Sequence, residues 1–152
     1  MKAIAILLMI IVSQNAFSQE DVEELAVKKT IQQFFEAFHQ QDSVALGEIA
    51  HPSVTMQSIA EGKEGNTKLS TEEYQNFVKA IVSIPEGTKF EEKLHSFDIS
   101  VNGPLASAVT PYSFFVNDTL SHCGVNSFQL YKQEGKWKVI YIVDTRKKEG
   151  CK

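Results

Sequence analysis

An α+β fold, with three N-terminal helices packed on one face of a curved antiparallel sheet, is what this sequence predicts, and three observations predict it. Apolar residues recur at spacings of three and four between Glu20 and Ile84, interrupted by one short alternating run. From Lys89 the period changes to two. Within Ser121 to Arg146, Ser121 to Lys132 and Lys136 to Asp144 then read as two strand-like runs joined at Gln133-Glu134-Gly135, the pattern of an antiparallel hairpin. Helices followed by a long meander stack as a layer against it.

Taken in order, the chain starts with a leader. Lys2 gives a positive end, Ala3 to Val12 is a continuous apolar run, and Ala16-Phe17-Ser18 puts small residues where a signal peptidase cuts. The expectation is a signal peptide over residues 1–18 and a mature domain over residues 19–152, periplasmic or secreted. The apolar run is about half of the roughly twenty residues that a membrane-spanning helix needs, so no stable membrane insertion is expected after cleavage.

Glu20 to Gln40 reads as an amphipathic helix with Val27, Ile31, Phe34, Phe35 and Phe38 on one face. Asp42 is placed to cap a second helix, Ser43 to Ala50, burying Val44, Leu46 and Ile49, with Pro52 ending it. Val54 to Ile59 alternates as a short strand, and Glu61 to Lys68 reads as a loop. Ser70-Thr71-Glu72-Glu73 fits a capping box for a third helix whose stripe is Tyr74, Phe77, Val78 and Ile81, ending near Ile84 before Pro85. In the second half, Phe97, Ile99 and Val101 share a strand face, Asn102-Gly103 marks a hairpin, Leu105 to Val116 is a long strand, and Asn117-Asp118 turns it. Asn117-Asp118-Thr119 also matches a glycosylation sequon by pattern, and it is read as a turn.

The mature chain keeps 134 of the 152 residues, enough for one domain. Cleavage removes Lys2 and no acid, taking the net charge from −4 to −5. Phosphate binding wants a basic face, and the one basic cluster, Arg146-Lys147-Lys148, reads as a solvated tail, so nucleic acid is not an expected partner. Two cysteines in an oxidising compartment allow one intramolecular pairing, Cys123 with Cys151, with free inert thiols as the alternative. On the last strand Trp137, Val139, Tyr141 and Val143 alternate with Ile140 and Ile142, so both faces are largely apolar. The outer face is then expected to be covered, most simply by a second copy in a homodimer.

The order of elements, Asp42 after a Phe-rich first helix, Ala50-His51-Pro52, and Phe128-x-Leu130 leading into Gly135-Lys136-Trp137 resemble the nuclear transport factor 2-like superfamily. His122-Cys123-Gly124-Val125-Asn126 with Asp144-Thr145-Arg146 and Cys151 resembles its small exported bacterial members of the SnoaL-like or "putative lumazine-binding" type. The resemblance implies a cone-shaped pocket enclosed by sheet and helices. It places the catalytic tyrosine of ketosteroid isomerase at Phe34, its carboxylate base at Gln57 and its oxyanion-holding acid at Asn126, so ketosteroid-type proton transfer is not expected here.

Strand alternation from Phe128 and Leu130 puts Asn126, Gly124 and His122 on the inner side. The resemblance adds Tyr112 and Phe114. On the last strand the inner set is Ile140, Ile142 and Asp144, unless a bulge at Gln133 to Gly135 swaps it for Trp137, Val139 and Tyr141. Gln57, Tyr112, Phe114, His122, Asn126 and Asp144 are therefore the expected ligand-binding residues, for a small, largely apolar ligand bearing a polar group. His122 beside Asp144, with Tyr112 near, is the candidate catalytic set: a carboxylate orients an imidazole and raises its pKa. The same groups could instead tie strands together or orient a ligand, and a filled core would make the protein a structural module. His39, at the end of the first helix and directed to solvent, is read with His51 and His95 as structural or surface. No spacing of His and Cys suggests a metal site, and no cofactor motif is present, so neither is expected.

Overall fold

The computed structural model describes residues 19–62 and 65–151; the signal peptide expected over residues 1–18 lies outside them. Among the described residues the chain runs α1 (Gln19–His39), α2 (Ser43–Ile49), β1 (Ala50–Glu61), β2 (Thr67–Glu72), α3 (Tyr74–Val82), β3 (Phe90–Leu94), β4 (Asp98–Asn102), β5 (Leu105–Val116), β6 (Thr119–Gln133) and β7 (Lys136–Arg146). No helix among them is long and apolar enough to cross a membrane. The sheet order is β2-β1-β7-β6-β5-β3, with β4 also on β5. The α+β layout is as expected, with one correction: β1 runs parallel to β7, so the sheet is mixed.

The helices form for the reasons read in their periodicity. Val27, Ile31, Phe34, Phe35 and Phe38 are buried along α1. Asp42 Oδ1 accepts from the backbone N–H groups of Val44 and Ala45, both at 3.0 Å, and so starts α2. Leu46 is fully buried there, but Val44, expected inside, is 71% exposed because it stands two residues, roughly 200° round the helix, from Leu46. Tyr74, Val78 and Ile81 bury α3 against this layer, and the Tyr74 hydroxyl donates to the Leu46 carbonyl at 2.9 Å.

The expected capping box does not form. Ser70 and Thr71 lie in β2, where Thr67–Glu72 pairs with Met56–Glu61, and the cap of α3 is Glu73 with no side-chain hydrogen bond. Pairing satisfies a whole edge of backbone donors and acceptors, which outweighs one local cap. β1 also starts earlier than expected, directly at Ala50. Pro52 sits where the β1–β7 register shifts between Ala50 and Thr55, so its missing N–H interrupts no ladder bond.

The hairpins turn where their residues tolerate positive φ: Asn117 (48°) with Asp118 (60°), and Glu134 (50°) with Gly135 (78°). The second leads into the most consequential irregularity of the sheet. Gln129 pairs with Tyr141 and Leu130 with Val139, leaving Ile140 as an extra residue. Trp137 and Val139 face the helices before this bulge, and Ile142 and Asp144 face them after it. Both inner sets weighed from the sequence are thus half right, and the bulge sits inside the strand rather than at its turn. It also accounts for apolar residues in both alternation phases without invoking a partner.

At the far end of β7 the chain continues as a bridge between Cys123 and Lys147, and the Cys123–Cys151 disulfide closes it, with Cα atoms 5.7 Å apart. The bond spans 28 residues and ties the tail back onto β6. Replacing both cysteines by alanine is expected to lower the unfolding free energy by about 3 kcal/mol on the chain-entropy model. Urea unfolding of oxidised protein and variant measures it; equal midpoints would show that the bond adds no stability.

Candidate functional site

Between the concave face of the sheet and the helices lies a cavity of about 210 Å³. Its base is aromatic. Phe34, Phe35 and Phe38 reach it from α1, Phe77 from α3 and Phe128 from β6. Phe77 stacks on Phe34 at 6.3 Å and on Phe38 at 6.0 Å, and Phe128 meets Phe34 edge-on at 5.8 Å. Helical spacing puts residues 34, 35 and 38 on one side of α1, so the stripe that builds the core also lines the cavity.

The opposite end is polar, and the sheet register assembles it. Asn126 lies across from Asp144, Tyr112 from Gly124, and Phe114 from both His122 and Glu92. The Tyr112 hydroxyl is 3.1 Å from Asp144 Oδ2 and 3.0 Å from the Thr145 carbonyl oxygen, two acceptors for its one proton. Arg146 Nε donates to the same Asp144 Oδ2 at 2.6 Å. Asn126 Nδ2 donates to Glu92 Oε1 at 2.7 Å. Position 124 must be glycine for this geometry: a Cβ there would lie 1.7 Å from the Thr145 carbonyl oxygen.

Of the residues expected in the pocket, Tyr112, Phe114, His122, Asn126 and Asp144 line the cavity. Gln57 does not. It sits one residue from Met56, which takes the inward position, and its amide donates to Thr71 Oγ1 at 3.0 Å while its carbonyl oxygen accepts from the Tyr141 hydroxyl. The expected His122–Asp144 pair is also absent. Arg146, two residues along β7 and on the same face, neutralises Asp144 instead, and His122 Nδ1 lies 3.2 Å from Ser121 Oγ. The imidazole is held below its ordinary pKa, by burial first and then by the Arg146 charge, the reverse of the upward shift expected.

The group that sequence reasoning missed is Glu92. Burial pushes its carboxyl up to about 7, the Asp144 charge adds to the rise, and the Asn126 hydrogen bond and Arg146 oppose it. The signal was present in Phe90-Glu91-Glu92-Lys93-Leu94, where alternation sets Glu92 between two apolar residues on the inward face. His39 holds this strand in place: its Nε2 accepts the Glu92 backbone N–H at 2.9 Å, so it is half-buried rather than directed to solvent, and burial lowers its pKa. Arg146, read from the sequence as tail, is likewise part of the site.

A model of the family described as "Putative lumazine-binding" matches residues 22–143. No curated protein matches the chain by sequence. Among solved structures, an NTF2-like protein of unknown function from Shewanella baltica is similar at TM-score 0.60 and 18% identity, covering 84% of this chain and 96% of its own. A putative dehydratase of the NTF2-like family from Streptomyces avermitilis has TM-score 0.65 at 14% identity, covering 84% and 98%. A putative ketosteroid isomerase from Shewanella frigidimarina has TM-score 0.57 at 18% identity, covering 78% and 94%. At such identities the likeness is one of fold.

Glu92 makes stability depend on pH. Folded, it keeps its proton to about pH 7; unfolded, it releases it near 4.5. The folded state therefore binds more protons in that window, and its stability falls as pH rises from about 4.5 through about 7, then levels. Glu92→Gln is expected to remove this decline and to be more stable than the parent at about pH 8, by on the order of 2 kcal/mol. Chemical unfolding across pH measures it, and parallel profiles for the two proteins would rule out a perturbed Glu92.

Proposed function

The chain belongs to the family described as "Putative lumazine-binding", within the nuclear transport factor 2-like superfamily, and from that premise we propose that it is an exported small-ligand-binding protein. The observation that carries this reading is the division of one cavity into an aromatic base and a polar end. A flat ring is received by Phe34, Phe77 and Phe128 through apolar burial and edge contacts. Glu92, Asn126 and Asp144 then orient whatever polar edge the ring carries. The proposal includes a homodimer through the outer sheet face, where Val109 and Val125 are 38% and 37% exposed and the adjoining Val143 is half-buried.

Native mass spectrometry of the protein purified without reduction from an exporting host tests both parts. The expected spectrum is a dimer with a defined extra mass, and Ala80→Trp, which fills the exposed rim of the cavity, is expected to lose that mass. A monomer would remove the dimer. Retention of the mass by the Ala80→Trp variant would remove the cavity as the binding site.

A second reading is favoured by one observation, the carboxyl of Glu92 poised near neutrality in the cavity. In it the protein is a cofactor-free isomerase, dehydratase or cyclase in which Glu92 moves the proton, replacing the set of His122, Asp144 and Tyr112 expected from the sequence. Incubating the co-purified molecule with the protein in deuterium oxide reads this directly. Deuterium incorporation that is lost in Glu92→Gln supports it, and no incorporation by the parent overturns it.

A further inference from the structure

The polar end of the cavity offers acceptors in excess of donors. Asp144 receives Tyr112 and Arg146 on the one oxygen Oδ2, and Glu92 receives Asn126 on Oε1. Neither Asp144 Oδ1 nor Glu92 Oε2 takes a hydrogen bond among the described residues. Among the described residues no buried side-chain oxygen or nitrogen is left without a partner, so both of these oxygens are solvent-accessible; Glu92 lines this cavity, and Asp144 lines both it and the adjoining pocket toward Gln57 and Lys68. The charges point the same way. Glu72, Glu92 and Asp144 line the cavity against one Arg146, whose Nε is already engaged by Asp144. An anion brought to Arg146 would approach the Glu72 and Asp144 carboxylates and, above about pH 7, that of Glu92, whereas a cation finds acceptors at Glu92 and Asp144 beside an apolar base.

We propose that the ligand of this cavity is an organic base bound as its cation, a protonated amine or amidine on a flat apolar body, with its N–H groups donating to Glu92 and Asp144. The proposal rests on the ligand-binding reading above and adds the charge of the ligand to it. Binding is then coupled to a proton. Glu92 faces His122 and Asn126 of β6, Asp144 and Arg146 of β7, and Tyr112 of β5, with His39 of α1 behind its backbone. Of these only Arg146 brings a firm positive charge, so below about pH 7 an empty site keeps a proton on Glu92 and an arriving cation displaces it.

Three probes that share one bicyclic body separate the alternatives by isothermal titration calorimetry on the oxidised protein: tryptamine, a cation; tryptophol, neutral; and indole-3-propionate, an anion. Tryptamine is expected to bind at least about ten-fold more tightly than either isostere at about pH 8, and to weaken several-fold at about pH 6. At about pH 6, where the empty site holds a proton on Glu92, its binding enthalpy is expected to change between buffers of different ionisation enthalpy, which reads proton release without any substitution. In Glu92→Gln the preference and the pH dependence should both shrink. Tighter binding of tryptophol or indole-3-propionate at about pH 8, or tryptamine binding without proton release at about pH 6, overturns the cationic ligand but leaves the cavity as a binding site. Binding by none of the three, at concentrations up to several millimolar, overturns the ligand-binding reading itself.

Discussion

One extra residue in the last strand organises this molecule. Without Ile140 as a bulge, strict alternation would send either Trp137 and Val139 or Ile142 and Asp144 to the outer face of the sheet. With it, the first pair closes the core under α1, where the Trp137 ring N–H donates to Glu23 Oε2 at 3.0 Å, and the second pair reaches the cavity. β7 is thereby structural at one end and chemical at the other. The bend that a bulge imposes also curves the sheet, which opens space between it and the helices.

Downstream of the bulge, a missing side chain continues the work. The Thr145 carbonyl occupies the place that a Cβ of residue 124 would need, and from there it accepts the Tyr112 hydroxyl. Val125 N–H donates to Thr145 Oγ1 at 3.0 Å, the Cys123–Lys147 bridge follows, and the disulfide closes the end. Asp144 and Arg146 are therefore held on a backbone fixed on both sides. Groups positioned this way keep their geometry when the site is empty, so a ligand need not order them.

How much of this could be read in the sequence depends on the range of the interaction involved. The Phe stripe of α1, the cap at Asp42 and the turns at Asn117-Asp118 and Glu134-Gly135 are legible because each is decided within a few residues. The failures are of the other kind. Ser70 to Glu73 has the pattern of a cap and becomes a strand because the edge of β1 is there to be paired. The bulge at Ile140 follows from fitting Trp137 under α1, which no local pattern encodes. In the site, counting from Phe128 finds Asn126 and His122, yet the partner of Asp144 is missed because Arg146 looks like a charged tail when its strand is taken to end at Asp144. Glu92 is missed for a related reason. Its strand alternates, but with three charged residues among five Glu92 reads as one more solvated charge.

That failure bears on what the cavity does. A carboxyl on an inward strand position is desolvated, and Asn126 offsets only part of that penalty because an amide brings a dipole rather than a charge. Arg146 cannot complete the compensation while it serves Asp144. A filled structural core has no reason to keep such a group, since an apolar residue between Phe90 and Leu94 would pack there without penalty. The deficit is instead what an arriving molecule with N–H donors would relieve, drawing affinity from a group that the empty protein holds in an unfavourable state. The site is thus described better by what it lacks, positive charge, than by the histidine that first drew attention to it.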